Sequence, residues 1–398
     1  MKVLGIIVEY NPMHNGHIYQ IEQAKKLINP DYTVIIMSGN FTEQGNISVL
    51  DKFTKAELAI QNGVDLVLEL PTIYATSSAE YFAKGAINIL NNLNCITHLV
   101  FGAECNNIQV LQNIAKVFNE HEKDIIEACK KVDNKSVTIA EARAEILKEY
   151  LNQQELDCID KPNNILAIEY LRNLLELNSK IEPILIHRDT VQHNSIEIAS
   201  NIASSTAIRE LLKRQELDEI KNLVPNNVYT KLKDIDTDYV QNFWNILKYE
   251  IIKLGANGLM NIHEISEGLE NRIIECVKTS NSYEEFIQNV KSKRYTLGRI
   301  KRICINILLG ISKDSFKTLS DALYARIIKF NSSKEELMSI INKSALIFVL
   351  SKITDAELLK LNEIIRQSLE LDILATNIHN IILNINSNEY TNNIKAGN

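Results

Sequence analysis

The stretch KVLGIIVEYNPMHNGH, residues 2–17, decides the fold, and its two ends have different patterns. Lys2 to Val8 is a mostly apolar run of β-strand type, whereas the residues from Ile18 onward have the 3.6-residue periodicity of a helix. A tight turn that contains Pro12 and Gly16 joins them. A strand, a turn and a helix start in this order place free backbone N–H groups and the positive end of a helix dipole where a triphosphate can bind. The stretch therefore predicts a nucleotide-binding α/β unit.

Further apolar segments repeat the strand pattern along the first half of the chain. They are Tyr32 to Met37, Leu66 to Leu70, Thr97 to Phe101 and Pro183 to His187, and helical patterns lie between them. Their hydrophobicity is continuous rather than alternating, which is typical of strands covered on both faces in a parallel sheet. We therefore predict an α/β fold with a doubly wound parallel sheet of Rossmann type, ending after a helix at Ser204 to Lys213.

The rest of the chain has a helical pattern. Residues 106–180 form a helical insertion or long crossover, with Asn163 to Leu175 as an amphipathic helix after Pro162. From residue 216 the β signals vanish and Leu/Ile-rich helical periodicity continues to about residue 385. We predict a catalytic domain at residues 1–215, an all-helical domain at 216–398, and a frayed polar tail from Asn386 to Asn398.

Composition sets wider limits. The 398 residues are 45% hydrophobic and 23% charged, as in a soluble globular protein of two domains, and the net charge of −7 argues weakly against a non-specific nucleic-acid coat. The six cysteines lie singly, without zinc-site spacing, so reduced thiols and no metal held directly by protein ligands are expected. No segment reaches the roughly 18 to 20 apolar residues that span a bilayer. A cytoplasmic protein is expected.

His14 and His17 are the candidate catalytic residues. Lying three apart at a helix entrance, they would face one side and offer ring N–H donors to phosphate oxygens while charge builds during attack on the α-phosphorus. The alternative is that both are capping or packing histidines.

A second motif lies at Ser204-Ser205-Thr206-Ala207-Ile208-Arg209. Alone, it would be an ordinary Ser/Thr helix cap. Together with His14-Asn15-Gly16-His17 it resembles the paired motifs of the HxGH nucleotidyltransferase superfamily, whose members cleave nucleoside triphosphates between the α- and β-phosphates. In that superfamily the hydroxyls and backbone amides of the second motif hold the β- and γ-phosphates. The resemblance thus implies phosphate contacts for Ser204, Ser205, Thr206 and Arg209.

Longer stretches resemble one family, tRNA(Met) cytidine acetate ligase. They are residues 8–17, Met37-Ser38-Gly39-Asn40-Phe41, residues 63–71, residues 161–166 and Lys293-Arg294-Tyr295-Thr296. The resemblance implies an enzyme that forms acetyl-adenylate from acetate and ATP, with Mg²⁺ bridging the triphosphate, and then acetylates N4 of the wobble cytidine of elongator tRNA(Met). The ATP-binding positions that it implies are Ile7, Val8, Glu9, Tyr10, Asn11, Pro12, Met13, Asn15, Gly16, Gln20, Gly102, Asn163 or Asn164, and Arg188.

Three of these positions have a physical rationale in the sequence. Gly102 ends a strand at the edge where open α/β sheets bind ligands, and a side chain there would obstruct the nucleoside. Arg188 follows a strand and suits a phosphate clamp.

Glu9 stands where small-molecule members of the superfamily usually have Thr or Ser, and its carboxylate would repel a phosphorylated acceptor by about 4 kcal/mol at roughly 4 Å and an effective dielectric of about 20. We assign Glu9 no catalytic role; a structural salt bridge or Mg²⁺ contact stays open.

A basic stretch in the second half is the candidate RNA-binding segment. Between Phe286 and Lys313 the chain has no Asp or Glu. Basic side chains can follow phosphates while an aromatic ring stacks on an unpaired base. A solvated helix face is the alternative. The predicted tRNA contacts are Lys291, Lys293, Arg294, Tyr295, Arg299, Lys301 and Arg302, with Tyr295 as the stacking ring.

Two other functions remain open at this stage. A small-molecule adenylyl- or cytidylyltransferase would use the same histidine pair, although Glu9 and the helical second half disfavour it. A non-catalytic RNA-binding protein would need no such pair. A class I aminoacyl-tRNA synthetase relative lacks support because no Lys-Met-Ser-Lys-Ser element is present.

Overall fold

A computed structural model describes residues 1–130, 145–188, 203–266, 268–391 and 394–396. One sheet forms the centre, with the strand order β5-β4-β1-β2-β3-β6-β7 and β8 paired to β6. Strands β1 to β5 run parallel, as predicted, and β6 to β8 run in the opposite direction. The strands are β1 (Val3–Val8), β2 (Tyr32–Ser38), β3 (Leu66–Leu70), β4 (His98–Ala103), β5 (Glu182–His187), β6 (Tyr324–Asn331), β7 (Phe348–Leu350) and β8 (Lys395–Ala396).

Helices surround this sheet and make up most of the second half. Those of the first half are α1 (Asn15–Ile28), α2 (Lys52–Gln61), α3 (Thr72–Ala75), α4 (Ala79–Asn92), α5 (Ile108–Glu120), α6 (Glu122–Lys130), α7 (Gln153–Leu156) and α8 (Pro162–Glu176). Those of the second half are α9 (Ser205–Lys213), α10 (Leu217–Ile220), α11 (Asn226–Leu232), α12 (Tyr239–Leu259), α13 (Leu269–Thr279), α14 (Tyr283–Val290), α15 (Leu297–Leu309), α16 (Lys313–Leu319), α17 (Glu335–Ser344), α18 (Asp355–Leu358) and α19 (Glu363–Leu383). Within the described ranges, no helix is both long and apolar enough to cross a membrane.

The strand order places a ligand-binding crevice beside β1. Its neighbours are β2 on one side and β4 on the other, so the chain reverses its winding direction between β1 and β4. In open α/β sheets, ligands bind outside the carboxyl ends of the strands at such a switch point. The turn of residues 9–14 leaves β1 at this edge. The predicted doubly wound α/β fold with a helical second half is confirmed.

The second half differs from the prediction in one respect, because three of its strands return to the sheet. β6 pairs antiparallel with β3, and six of its eight residues are buried. A short apolar run of this kind cannot be distinguished from a buried helix segment by periodicity alone, and β7 has only three residues. Hence the prediction that β structure ends near residue 216 is wrong. The division into domains at residue 215 stays a prediction.

The predicted frayed tail is also wrong in part, because the carboxyl end of the chain is anchored in the core. The Glu389 side chain is 1% exposed and accepts from Lys52 Nζ at 2.6 Å, and Arg326 pairs with the same carboxylate. Polar composition predicted fraying, but these buried ion pairs link the tail to β6 and α2. The cysteines agree with the sequence: Cys95, Cys105, Cys158, Cys276 and Cys304 are free thiols.

Candidate active site

The two histidines of the signature cap helix α1 and stack on each other. His14 is the N-cap residue, and its Nδ1 accepts a hydrogen bond from the Gly16 backbone N at 3.1 Å. His17 Nδ1 accepts from the His14 backbone N at 3.2 Å. The ring centroids lie 3.7 Å apart. The pair lies on one side of the helix start, as the spacing predicted.

These bonds fix where each ring carries its proton. Because Nδ1 is the acceptor in both rings, a neutral ring must hold its proton on Nε2. Burial, with the Arg188 charge, lowers the pKa of His14 to about 4; burial, with the charges of His14 and Arg188, holds the pKa of His17 well below its usual value. No described residue bonds to either Nε2 atom. The alternative that both histidines are capping residues is therefore correct for their Nδ1 atoms. Their two neutral Nε2–H donors stay available for a ligand.

We expect nitrogen NMR of histidine-labelled protein to show this tautomer directly. His14 and His17 should give Nε2–H signals without protonation between pH 8 and pH 5, since their pKa values are depressed and the neutral form persists above them. Spectra of His14→Asn and His17→Asn would assign the signals. Titration of either ring near pH 6.5 would contradict the assignment.

The signature turn is held from behind by its own side chains. Asn11 is buried; its Nδ2 donates to the Ile47 carbonyl and its Oδ1 accepts from the Val49 N, each at 2.9 Å. Tyr10 and Met13 are also buried. Asn15 Nδ2 donates to the Asn222 carbonyl at 2.8 Å. In this turn, backbone groups rather than the side chains of Tyr10, Asn11 and Met13 are placed to meet a ligand.

The remaining predicted ATP-binding positions between Ile7 and Gln20 lie on either side of the turn. Val8 is buried, and Ile7, Gly16 and Gln20 are partly buried. Pro12 is buried too, and its carbonyl meets the second motif.

The second motif meets the first, and its phosphate contacts stay a prediction. Ser205 Oγ donates to the Pro12 carbonyl at 3.2 Å, and Arg209 Nη1 donates to the Asn11 carbonyl at 2.6 Å. Arg209 Nη2 also donates to Thr206 Oγ1 at 3.1 Å. Ser204 Oγ caps α9 by accepting from Ala207 N, and Ser204 and Thr206 are exposed. The N-terminus of α9 thus lies against the signature turn, whereas the preceding Asn201 and Ile202 lie outside the described residues.

Gly102 and Arg188 form the other flank of the crevice. A Cβ atom at Gly102 would lie 2.8 Å from Arg188 Cδ and 2.9 Å from Cγ, so a side chain there would displace the arginine stem that crosses it. The expectation that a side chain at Gly102 would obstruct the nucleoside stays a prediction. Arg188 is exposed and donates to Asn163 Oδ1 at 3.0 Å. Its guanidinium therefore reaches over the carboxyl ends of β4 and β5.

The structure separates the two candidate asparagines. Asn164 is fully buried; its Oδ1 accepts from Cys105 N and its Nδ2 donates to the Cys158 carbonyl, each at 2.9 Å. Asn163 is only partly buried and bonds to Arg188 and to Glu104 Oε1 at 2.6 Å. The geometry favours Asn163 as the ligand-facing residue and gives Asn164 a structural role.

Glu9 has a partner that its sequence position did not indicate. Its Oε1 accepts from the Glu43 backbone N at 2.7 Å, and burial raises its pKa. The Lys55 ammonium donates to the carbonyls of Glu9, Ser38 and Gly39 at 2.9, 2.8 and 2.7 Å. Glu9 and Lys55 thus fasten the ends of β1 and β2 to each other. Sequence reasoning missed Lys55 because a lysine in an amphipathic helix is normally exposed.

The basic stretch is divided between surface and interior, which corrects part of the RNA-binding prediction. Tyr295 is buried, its hydroxyl bonds to the Ser266 carbonyl, and Arg299 covers its ring at 4.6 Å, so it cannot stack on a base in this conformation. Arg302 pairs with Glu264 at 3.1 Å. The exposed cations of the stretch are Lys291, Lys293 and Arg294.

Comparison with known proteins agrees with this geometry. The HIGH Nucleotidyl Transferase family model matches residues 1–394, so fold and site together define a nucleotidyltransferase of the HIGH class. The tRNA(Met) cytidine acetate ligases of Clostridium tetani and Clostridium kluyveri are 35% and 37% identical, each over 96% of this chain and over 96% and 95% of their own lengths. This chain belongs to the tRNA(Met) cytidine acetate ligase family, and the resemblance read from the motifs is confirmed.

A solved structure extends the similarity to the fold. The crystal structure of Thermotoga maritima TmcAL bound with alpha-thio ATP has a TM-score of 0.87 to this chain at 31% identity, covering 96% of this chain and 95% of that one. Its apo form gives the same values.

Proposed function

We propose that this protein is an ATP-dependent acetate ligase that forms acetyl-adenylate and acetylates N4 of the wobble cytidine of elongator tRNA(Met). The observation that carries the proposal is the junction of the two motifs at the switch point of the sheet, where Arg209 bonds to the Asn11 carbonyl beside the stacked histidines. Relatives of this name that match nearly the whole chain support the acetate and tRNA substrates.

The first step needs charge stabilisation rather than a covalent enzyme intermediate. An acetate oxygen attacks the α-phosphorus, a bond forms between them, and the bond from that phosphorus to the bridging oxygen breaks to release pyrophosphate. Neutral Nε2–H donors on His14 and His17 suit this step because they stabilise charge that develops on phosphate oxygens without needing prior protonation. ATP enters as its magnesium complex; among the described residues no group of three or more His, Cys, Asp or Glu could hold a metal ion.

The second step uses the adenylate as an activated acyl group. The cytidine N4 attacks the acetyl carbon, AMP leaves with the former acetate oxygen, and N4 loses a proton. The exocyclic amine is a weak nucleophile, so most of the acceleration comes from its position against the anhydride.

Exchange of labelled pyrophosphate into ATP tests the first step. We expect exchange that requires acetate, since only acetyl-adenylate formation makes pyrophosphate release reversible in this way. Exchange that is independent of acetate, but requires a phosphorylated small molecule, would favour the alternative adenylyltransferase.

We expect the exposed cations of the basic stretch to bind tRNA phosphates. Changing Lys291, Lys293 and Arg294 to Ala should weaken tRNA binding and reduce the slope of log affinity against log salt by about 2, while ATP affinity stays constant. Exposed Lys317 and Lys343 lie elsewhere in the second half, and their double Ala variant is the matched control. An unchanged salt slope in the triple variant would contradict the assignment.

A further inference from the structure

Glu104 directly follows β4 and reaches the first turn of helix α8. Its Oε1 accepts from Asn163 Nδ2 at 2.6 Å and from the Asn163 backbone N at 3.3 Å, and its Oε2 accepts from the Asn164 backbone N at 3.0 Å. Lys161, the N-cap residue of α8, makes no side-chain cap bond. The Glu104 carboxylate therefore caps α8 from a neighbouring strand, where its negative charge is stabilised by the positive end of the helix.

The same carboxylate fixes the orientation of the Asn163 side chain. A carboxylate accepts hydrogen bonds and donates none, so the amide nitrogen of Asn163 faces Glu104 and its Oδ1 faces away. Arg188 Nη1 donates to that Oδ1 at 3.0 Å. Glu104, Asn163 and Arg188 thus form a chain of hydrogen bonds from the end of β4, through α8, to the residue that follows β5.

The guanidinium of Arg188 is directed by this chain and is otherwise open to a ligand. The arginine backbone N donates to the Ala103 carbonyl at 2.8 Å, and the stem crosses Gly102. Within the part of the chain that the structure describes, Asn163 is the only hydrogen-bond partner of the guanidinium, and Arg188 is exposed. A guanidinium has five N–H donors, so the others can meet an anion at the carboxyl edge of the sheet.

We propose that Glu104 is a positioning residue of the nucleotide site, which orients the Asn163 amide so that Asn163 directs the Arg188 guanidinium toward bound ATP. The inference rests on the ATP site of the proposed function, in which Arg188 contacts ATP. A residue that only caps α8 would affect stability. A residue that acts through Arg188 affects ATP binding, and only while Arg188 is present.

Calorimetric titration with ATP in a double-mutant cycle separates these two roles. Glu104→Ala removes the acceptor that orients Asn163, so the guanidinium loses its fixed direction. We expect the dissociation constant for ATP to rise about tenfold, as for the loss of one charge-assisted hydrogen bond. In the Arg188→Ala background, Glu104→Ala should cause no further loss, because the group that it positions is already absent.

A reciprocal exchange across the same bond provides a rescue. Asn163→Asp alone places two carboxylates against each other, and their repulsion should weaken ATP binding. Adding Glu104→Gln restores a donor and an acceptor: the Gln nitrogen donates to Asp, whose other oxygen accepts from Arg188, while the Gln oxygen still caps α8. The double variant should therefore bind ATP more tightly than Asn163→Asp does.

Glu155 offers a matched control because its carboxylate has the same kinds of partners at another helix start. It accepts from Asn113 Nδ2 at 2.7 Å and from the Asn152 backbone N at 2.9 Å, at the beginning of α7. Glu155 is buried, so Glu155→Ala should lower the midpoint of thermal unfolding at least as much as Glu104→Ala. Its affinity for ATP should be unchanged.

Three results would each overturn the proposal: unchanged ATP affinity in Glu104→Ala, an equal loss with and without Arg188, or a double variant no better than Asn163→Asp. The titrations need neither acetate nor tRNA, so a wrong acceptor in the proposed function would leave the result for Glu104 intact. If the unmodified protein did not bind ATP, the proposed function would be wrong as well.

Discussion

Changing His17 to Asn should reduce acetate-dependent pyrophosphate exchange by about 10²–10³-fold, the usual effect of removing one donor from a developing oxyanion. Asn places an oxygen near the position of Nδ1, so it can still accept from the His14 backbone N and keep the cap of α1. It has no donor at the position of Nε2. The loss should therefore appear in turnover, with little change in thermal stability.

Two control variants separate chemistry from folding. His17→Gln, whose amide nitrogen lies near the position of Nε2, should retain more activity than His17→Asn although it loses the cap. His121, which stacks on Tyr150 at 3.7 Å, should tolerate Asn without loss of exchange. Exchange in His17→Asn within a few-fold of the unmodified protein would rule out the donor role.

Removing Glu389 should cause the largest loss of stability. Lys52 Nζ lies 2.6 Å from a carboxylate oxygen of both Glu69 and Glu389, and Arg326 contacts the same two carboxylates, all nearly without solvent exposure. Glu389→Ala leaves two buried cations with one carboxylate. Breaking a buried pair in this way lowers the free energy of unfolding by about 3–5 kcal/mol, which urea denaturation can measure.

The pH dependence gives this prediction a second readout. Burial opposes ionisation of Glu389, but the charges of Lys52 and Arg326 lower its pKa to about 2 from an ordinary value of 4.5. The stabilisation is therefore complete above pH 4.5 and is lost as the pH falls toward 2, so the difference between the two proteins should shrink over that range. Glu370→Ala, at an exposed site near Arg366, should change stability by less than about 1 kcal/mol. Equal stability of Glu389→Ala and the unmodified protein would contradict the structural role.

The sequence predicted those parts of the molecule whose local pattern and tertiary environment agree. β1 to β3 are continuous apolar runs buried on both faces, and His14 and His17 lie at a helix start that their own spacing defines. β6 was missed because its partner β3 lies more than 250 residues earlier in the chain, and no local signal reports that pairing.

The site residues missed or misassigned share one cause. The basic run contains Tyr295, Arg302 and Lys301, and its composition predicts a solvated or RNA-binding face. In the structure these side chains bond instead to the Ser266 carbonyl, the Glu264 carboxylate and the Asn46 side-chain amide. The sequence likewise carries no sign that Lys55 and Glu389 are buried. Burial of a charged side chain is decided by distant partners, and composition within a short window does not contain them.

Incorporation of labelled acetate into tRNA tests the central claim most directly. Purified protein with magnesium ATP, labelled acetate and total tRNA should place label on the wobble cytidine of elongator tRNA(Met), with AMP and pyrophosphate formed in equal amounts. Label should be absent without ATP. If tRNA(Met) is present and no label enters it, while the protein still binds ATP, the proposed acetate ligase activity is wrong.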